Sequence, residues 1–158
     1  MGLDMYLKAN KYAGDWNFCE PSERKTHQKL LTAAGMSKEY VAKDSPAVEV
    51  SVTVAYWRKS NQIHAWFVRE CAGGEDNCEL AYVPREKLLE LRNLCADLLT
   101  RRDHEEASQK LPPQQGFFFG SYDIDEFYWG ELESTVEQLD KVLQLNEAEW
   151  EFYYRASW

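Results

Sequence analysis

The sequence predicts an α+β fold, with an antiparallel or mixed sheet of about four strands and three main helices packed on one face. Three observations support this prediction. The predicted strands and helices follow one another roughly as β, (α), β, α, β, α, α, β. Only one face of each strand is cleanly apolar, which favours a sheet covered on one side. A doubly wound parallel sheet would need strands that are apolar on both faces. A length of 158 residues fits a single domain, residues 1–158.

Strict alternation identifies the strands. Residues 1–12 place Leu3, Met5 and Leu7 on one face and polar residues on the other. Residues 48–57 alternate valines with polar or small residues, which is typical of a strand. A short strand is predicted over residues 80–83, and the chain closes with a strand over residues 150–158. Its apolar face holds Trp150, Phe152, Tyr154, Ala156 and Trp158.

Helical spacing identifies three longer helices. Residues 61–71 form the first, with Ser60 or Asn61 as its cap. The second starts at Pro84, which suits a first helical turn, and continues to about Arg101. The third covers about residues 124–145. Their stripes recur every three or four residues, as in Leu88, Leu91, Cys95 and Leu98, and in Leu132, Val136, Leu139 and Leu143.

Residues 14–46 are polar and irregular. A short helix is predicted from Ser22 to Ala34, with Gly35 at its C-terminal end. We expect an excursion from the core here, not a second domain.

The net charge of −9 is concentrated at one end of the chain. Residues 121–158 contain ten acidic and two basic residues, a net −8. This acidity predicts no direct binding of nucleic acid through its phosphates. A basic protein partner is an alternative, and a solvated acidic helix face is the simplest interpretation.

The sequence predicts no membrane span, because no apolar run is long enough. The start of the chain lacks a basic leader segment, so we expect a soluble cytoplasmic protein. The four cysteines form no zinc-binding spacing and are expected to be reduced thiols. No cofactor and no metal are predicted.

The first candidate site is formed by Arg58, Lys59, Asn61 and His64, where the valine-rich strand meets its helix. The first N–H groups of a helix have no partner within it, and its dipole adds positive charge there. Two cations beside that end favour an anion, to which Asn61 and His64 would add hydrogen bonds. The alternative is a solvated strand end with a capping Asn and a surface His.

The second candidate is the segment from Gln114 to Ser121, which contains three consecutive phenylalanines. Side chains alternate along an extended chain, so at least one ring should face another surface or a pocket. Gly116 and Gly120 allow the backbone to approach a ligand closely. No P-loop or dinucleotide-binding spacing is present. The alternative is a core strand with glycine bends. The predicted ligand-binding residues here are Gly116, Phe117, Phe119, Gly120 and Ser121.

The third candidate is the acidic start of the last helix, residues 122–129. Acidic residues there cap the helix and complement its dipole, which is sufficient to explain them. An enzyme using His64 with Asp123 or Asp125 on a phosphorylated substrate is a further alternative. No nucleophile motif occurs, so no catalytic residue is assigned and we lean against an enzyme.

Four blocks together resemble a group of small proteins encoded mainly in bacteriophage and prophage genomes. They are Met1 to Leu7, Trp57 to Phe67 with its Arg58-Lys59-x-Asn61 core, Gly116 to Ser121, and the final Ser157-Trp158. The resemblance covers most of the chain except residues 14–46, which it marks as a variable insertion. Where that family has a capping Ser, this chain has Pro84.

The resemblance implies a phage accessory protein acting in the bacterial host cytoplasm. It also implies that Arg58, Lys59, Asn61 and His64 recur as a polar set. The leading hypothesis is therefore a protein that binds a small anionic, nucleotide-like ligand and sequesters a host defence signal. Trp129 or an exposed phenylalanine would stack on its planar ring. The main alternative is an acidic inhibitor of a basic host protein.

Overall fold

The computed structural model describes residues 2–116 and 120–158 and confirms the α+β class. In this part of the chain the sheet is antiparallel and has four strands in the order β2-β1-β4-β3. The strands are β1 (Asp4–Gly14), β2 (Ala47–Arg58), β3 (Ala81–Val83) and β4 (Glu151–Ser157). The helices are α1 (Pro21–Ala33), α2 (Asn61–Cys71), α3 (Arg85–Arg101), α4 (His104–Lys110) and α5 (Glu126–Val142).

The chain divides into two compact units. The larger holds residues 2–9 and 52–158, and the smaller holds residues 10–51. Strands β1 and β2 each contribute residues to both. The interpretation of residues 14–46 as a variable insertion stays a prediction.

The smaller unit contains α1 and the outer parts of β1 and β2. Asn10 Nδ2 donates to Glu49 Oε1 at 2.7 Å, which links the two strands. The ammonium group of Lys38 lies 2.8 Å from the Asp15 carboxylate. Helix α1 begins with Pro21 in its first turn, where a missing N–H costs nothing, and it lies close to the range predicted from the sequence.

The core of the larger unit joins one face of the sheet to helices α2, α3, α4 and α5. At β1 the alternation is as predicted, because Leu3, just before the strand, and Met5 and Leu7 within it are fully buried. In β4 the buried residues are Phe152, Tyr154 and Ala156, whereas Trp158 of the predicted apolar face lies beyond the strand and is 48% exposed.

Strand β2 presents a different face to the core than its valines suggest. Ala55 and Trp57 are buried, whereas Val52 and Tyr56 are each 44% exposed. The indole Nε1 of Trp57 donates to Thr135 Oγ1 of α5 at 2.9 Å. A large ring with a satisfied polar atom therefore faces inward, while the β-branched residues favour a strand without deciding which face is buried.

Helix α4 was not predicted from the sequence, because residues 103–115 are mostly polar and show no helical stripe. Asp103 caps it by accepting from the backbone N–H groups of Glu105 and Glu106 at 2.8 and 3.0 Å. Ala107 buries one side of this short helix. A capping Asp and acidic first-turn residues are thus enough to form it beside the core.

Two further expectations concern the whole chain. Cys19, Cys71, Cys78 and Cys95 are free thiols, as predicted. Among the described helices, none combines the length and the apolar character that crossing a membrane requires.

Candidate functional site

The junction between β2 and α2 is a tight turn at Lys59. This residue has a φ of 59°, in the left-handed region that side chains other than glycine rarely adopt. Its N–H donates to Leu3 O at 2.8 Å, and its carbonyl accepts from Asn61 N at 3.0 Å. These two bonds fix the turn between the end of the strand and the first residue of α2.

The two predicted cations lie at the surface of this turn. The Arg58 side chain is 64% exposed, and its Nε is 4.0 Å from the Asp4 carboxylate. Asp4 also accepts a hydrogen bond from the Tyr56 hydroxyl, which raises the pKa of Tyr56. Lys59 is exposed as well. Both cations are therefore accessible to an anion in solution.

Asn61 joins the first and second candidate sites. It is 1% exposed, and its Nδ2 donates to Ser121 O at 2.8 Å. Its Oδ1 accepts from Gln114 N at 2.9 Å. The two ends of the glycine-rich segment are thus attached to the start of α2. Two motifs that were predicted separately from the sequence therefore meet in the fold.

Gly120 allows the close approach of this segment to the turn. Its φ is 98°, and a Cβ atom added there would lie 3.1 Å from Lys59 O and 3.2 Å from Lys59 Cβ. A side chain would meet both strain and crowding, so only glycine suits this position.

The other residues of this segment have mainly local contacts. The Tyr122 hydroxyl donates to Gly116 O at 3.0 Å, and Ser121 Oγ accepts from Asp123 N at 3.2 Å. Phe117 and Phe119, predicted to contact the ligand, lie outside the described residues. Their role as stacking surfaces stays a prediction.

The start of α2 retains polar groups with unused bonding capacity. Ser60 makes no side-chain cap hydrogen bond to the helix. Within the described chain, Gln62 Nε2 and Gln114 Oε1 are buried without a hydrogen-bond partner. Buried amide atoms of this kind are costly when unpaired. One donor and one acceptor therefore remain close in sequence to the residues that Asn61 holds together.

Glu131 of α5 adds a half-buried carboxyl beside this region. Burial raises its pKa, and the Ser60 hydroxyl that faces it partly offsets the rise. A negative charge there would compete with an anionic ligand for the positive end of α2. No pattern in the sequence indicates this contact of Glu131 with Ser60, because the two residues are far apart in the chain.

His64 was predicted to add a hydrogen bond to the ligand, but the structure places it in the core. Its side chain is fully buried, with Nδ1 at 2.7 Å from the Tyr154 hydroxyl and Nε2 at 2.9 Å from Asp76 Oδ2. Because the Asp76 carboxylate accepts hydrogen bonds, Nε2 donates to it, and Nδ1 shares the other hydrogen bond with the Tyr154 hydroxyl. Trp158 Nε1 also donates to Asp76, at 3.1 Å.

The pairing of His64 with Asp76 also bears on the catalytic alternative. That alternative required His64 to act with Asp123 or Asp125. Instead Asp125 caps α5 by accepting from Tyr128 N at 3.0 Å, as its position at the helix start suggests.

Burial raises the pKa of Tyr154 well above its ordinary value, so its hydroxyl stays protonated.

Trp129 was predicted to stack on the ring of a ligand, but the structure places it in the core. It is 2% exposed and meets the Tyr128 ring edge-on at 5.1 Å between centroids. The His104 ring lies 5.7 Å away in a similar arrangement. Trp129 belongs to the buried stripe of α5 together with Leu132, at the three-residue spacing of a helix face.

The acidic end of the chain is partly balanced by arginines of the α3 region. Glu126, Glu133, Asp140 and Glu147 recur every seven residues and lie within 2.7–3.4 Å of an arginine. Arg85, Arg92 and Arg102 provide these contacts, in an order that makes α3 and α5 antiparallel. The seven-residue spacing of these acidic residues is visible in the sequence. That they would face arginines of the α3 region is not.

Comparison with known proteins finds no matching family model, curated protein or solved structure. The resemblance to phage-encoded proteins stays a prediction, and the site has to be interpreted from its own geometry.

Proposed function

We propose that this protein binds a small anionic, nucleotide-like ligand where β2 meets α2. The observation that carries the proposal is the position of Asn61. It holds the segment from Gln114 to Ser121 against the helix start, and the exposed cations Arg58 and Lys59 come just before it in the chain. In a phage, such a protein would sequester a signal of the host defence.

Each group at the junction has a distinct role. Arg58 and Lys59 supply positive charge, and the arginine can bind two oxygens of a phosphate at once. The first N–H groups of α2 point toward the same end of the helix and favour negative charge.

A thermal-shift panel of nucleotides and cyclic nucleotides tests this proposal. A ligand present at 100 times its Kd should stabilise the protein by about 2.7 kcal/mol. Arg58→Ala should abolish most of the shift. Arg69→Ala is the matched control, since it removes an exposed cation from the last turn of the same helix. A flat panel, or equal shifts in the two variants, would overturn the proposal.

The acidic-inhibitor alternative has less support. Four of the ten acidic residues after position 120 already face arginines of the same chain. Their pairing reduces the local field that would attract a basic partner. Capture of a host protein that weakens steeply with salt would revive this alternative.

A further inference from the structure

The sheet face opposite the core carries one tyrosine on each strand. Tyr6 lies on β1, Tyr56 on β2, Tyr82 on β3 and Tyr153 on β4. Each occupies an alternate position to a buried residue of its strand, so all four point away from the core. We call this surface the tyrosine face.

The four rings form two pairs. Tyr6 and Tyr56 have centroids 5.4 Å apart on the neighbouring strands β1 and β2. Tyr82 and Tyr153 are register partners in β3 and β4, with centroids 5.7 Å apart. Tyr56 and Tyr82 are 44% and 54% exposed, so ring surface remains open to solvent in both pairs.

A cavity opens on this face where the two central strands lie side by side. Its volume is about 350 Å³. It is lined by Tyr6, Lys8, Thr53, Arg155 and Ser157. These residues bring two cations and three hydroxyl groups, and the described lining contains no carboxylate. Arg155 Nε donates to Cys78 O at 3.2 Å, which anchors its guanidinium at the cavity.

We infer that the tyrosine face binds a single-stranded oligonucleotide, with a phosphodiester in the cavity and bases stacked on the two tyrosine pairs. Aromatic rings stack on every base because each base has a π face, and cations along the same surface follow the backbone. Hydroxyl and guanidinium groups are donors that suit phosphate oxygens. A duplex hides the faces of its bases, so it binds this surface poorly.

The net charge of −9, from which the sequence predicts no direct binding of nucleic acid, does not describe the charge of this surface. Much of it lies on residues 121–158, and part of that is paired with arginines. The cavity itself presents Lys8 and Arg155, while the carboxylates of Asp4 and Glu151 accept hydrogen bonds from the hydroxyls of Tyr56 and Tyr153. With only two cations, binding depends weakly on salt and relies on stacking.

Fluorescence anisotropy with labelled 12-nucleotide strands of thymidine or uridine tests the inference at low salt. We expect saturable binding of at least one strand, and the stronger one identifies DNA or RNA as the source. A duplex of the same length should bind at least tenfold more weakly. Failure of both single strands, or equal binding of the duplex, overturns the inference.

Variants separate stacking from general attraction. Tyr6→Ala together with Tyr153→Ala should weaken binding at least tenfold, whereas the two corresponding Phe substitutions should retain it, because the ring and not the hydroxyl stacks. Arg155→Ala should weaken binding several-fold. Phe127→Ala is the control, because it removes an exposed ring from α5, away from the sheet. Unchanged binding in the double Ala variant overturns the inference.

If the oligonucleotide experiments fail, the small-ligand proposal still stands, because none of the substituted residues belongs to the β2–α2 junction.

Discussion

The segment from Arg58 to His64 contains two kinds of polar residue that the sequence presents together. Arg58 and Lys59 are exposed, whereas Asn61 and His64 are 1% and 0% exposed. The buried residues are three apart on α2 and therefore share its inner face. The comparison teaches that neighbouring polar residues in one motif divide between buried residues that hold the fold and exposed residues that remain accessible from solution.

The difference has a direct energetic consequence. A buried polar group that loses its partner costs about 1–3 kcal/mol, whereas an exposed ion pair contributes about 0–1 kcal/mol. Substitutions of the buried Asn61 and His64 should therefore act on stability. Substitutions of the exposed Arg58 and Lys59 should act on ligand binding.

Asn61→Ala should have the largest effect. It leaves Gln114 N and Ser121 O without their partner, so we expect the free energy of unfolding to fall by about 2–4 kcal/mol. Urea denaturation measures this. Asn93→Ala, an exposed amide on α3, should change stability by less than about 0.5 kcal/mol. Equal values for the two variants would refute the role given to Asn61.

Tyr154→Phe should rank second. It removes the hydroxyl that bonds His64 Nδ1 inside the core, which predicts a loss of about 1–3 kcal/mol. The neighbouring Tyr153→Phe removes a hydroxyl that donates to the exposed Glu151, so it should be nearly neutral. If both variants unfold at the same denaturant concentration, the buried histidine network contributes nothing to stability.

Gly120→Ala and Gly130→Ala should have opposite signs. The first forces a Cβ against Lys59 at a φ of 98°, which predicts a loss of about 1–3 kcal/mol and a weaker ligand response. The second lies within α5 with no atom within 4 Å of an added Cβ. Alanine favours a helix there, so a gain of about 0.5–1 kcal/mol is expected. Thermal unfolding of both variants distinguishes these outcomes.

Glu131→Gln should produce a smaller effect that depends on pH. Because burial raises the pKa of Glu131 in the folded state, its contribution is most favourable below the ordinary glutamate pKa of 4.5. That contribution is lost as pH rises through the raised pKa. The glutamine variant should therefore gain stability relative to wild type between pH 4 and 7, and should bind anions more tightly. Glu133→Gln, which is exposed, should show no such gain.

Arg58→Ala should change stability least, by less than about 0.5 kcal/mol, because its contact with Asp4 is long and exposed. Its effect should appear in ligand binding alone. A large loss of stability in chemical denaturation would show that Arg58 stabilises the fold as Asn61 and His64 do. It would contradict the distinction between buried and exposed residues of this segment.

Local patterns in the sequence predicted much of this fold. Alternation identified β1 and β4 with their buried faces, and helical stripes identified α2, α3 and α5. The orientation of β2 was not readable, because its inward face is set by the bond from Trp57 to Thr135, 78 positions away. Helix α4 was missed because it is too short to show a stripe.

The site was predictable only in its outer part. Cations after a strand and before a helix indicated the junction, and glycines indicated a close approach of backbone. The burial of His64 was not readable, since its partners Asp76 and Tyr154 lie in a turn and in the last strand. Asn61 likewise contacts residues more than 50 positions away.

An amide NMR titration with inorganic phosphate and adenosine monophosphate tests the central claim most directly. The account predicts the largest shifts at the N–H groups of residues 59–63 and 120–121, and their loss in Arg58→Ala, which should otherwise keep the wild-type spectrum. No shifts at these positions up to millimolar ligand, or the same shifts in the variant, would contradict an anion site at the start of α2.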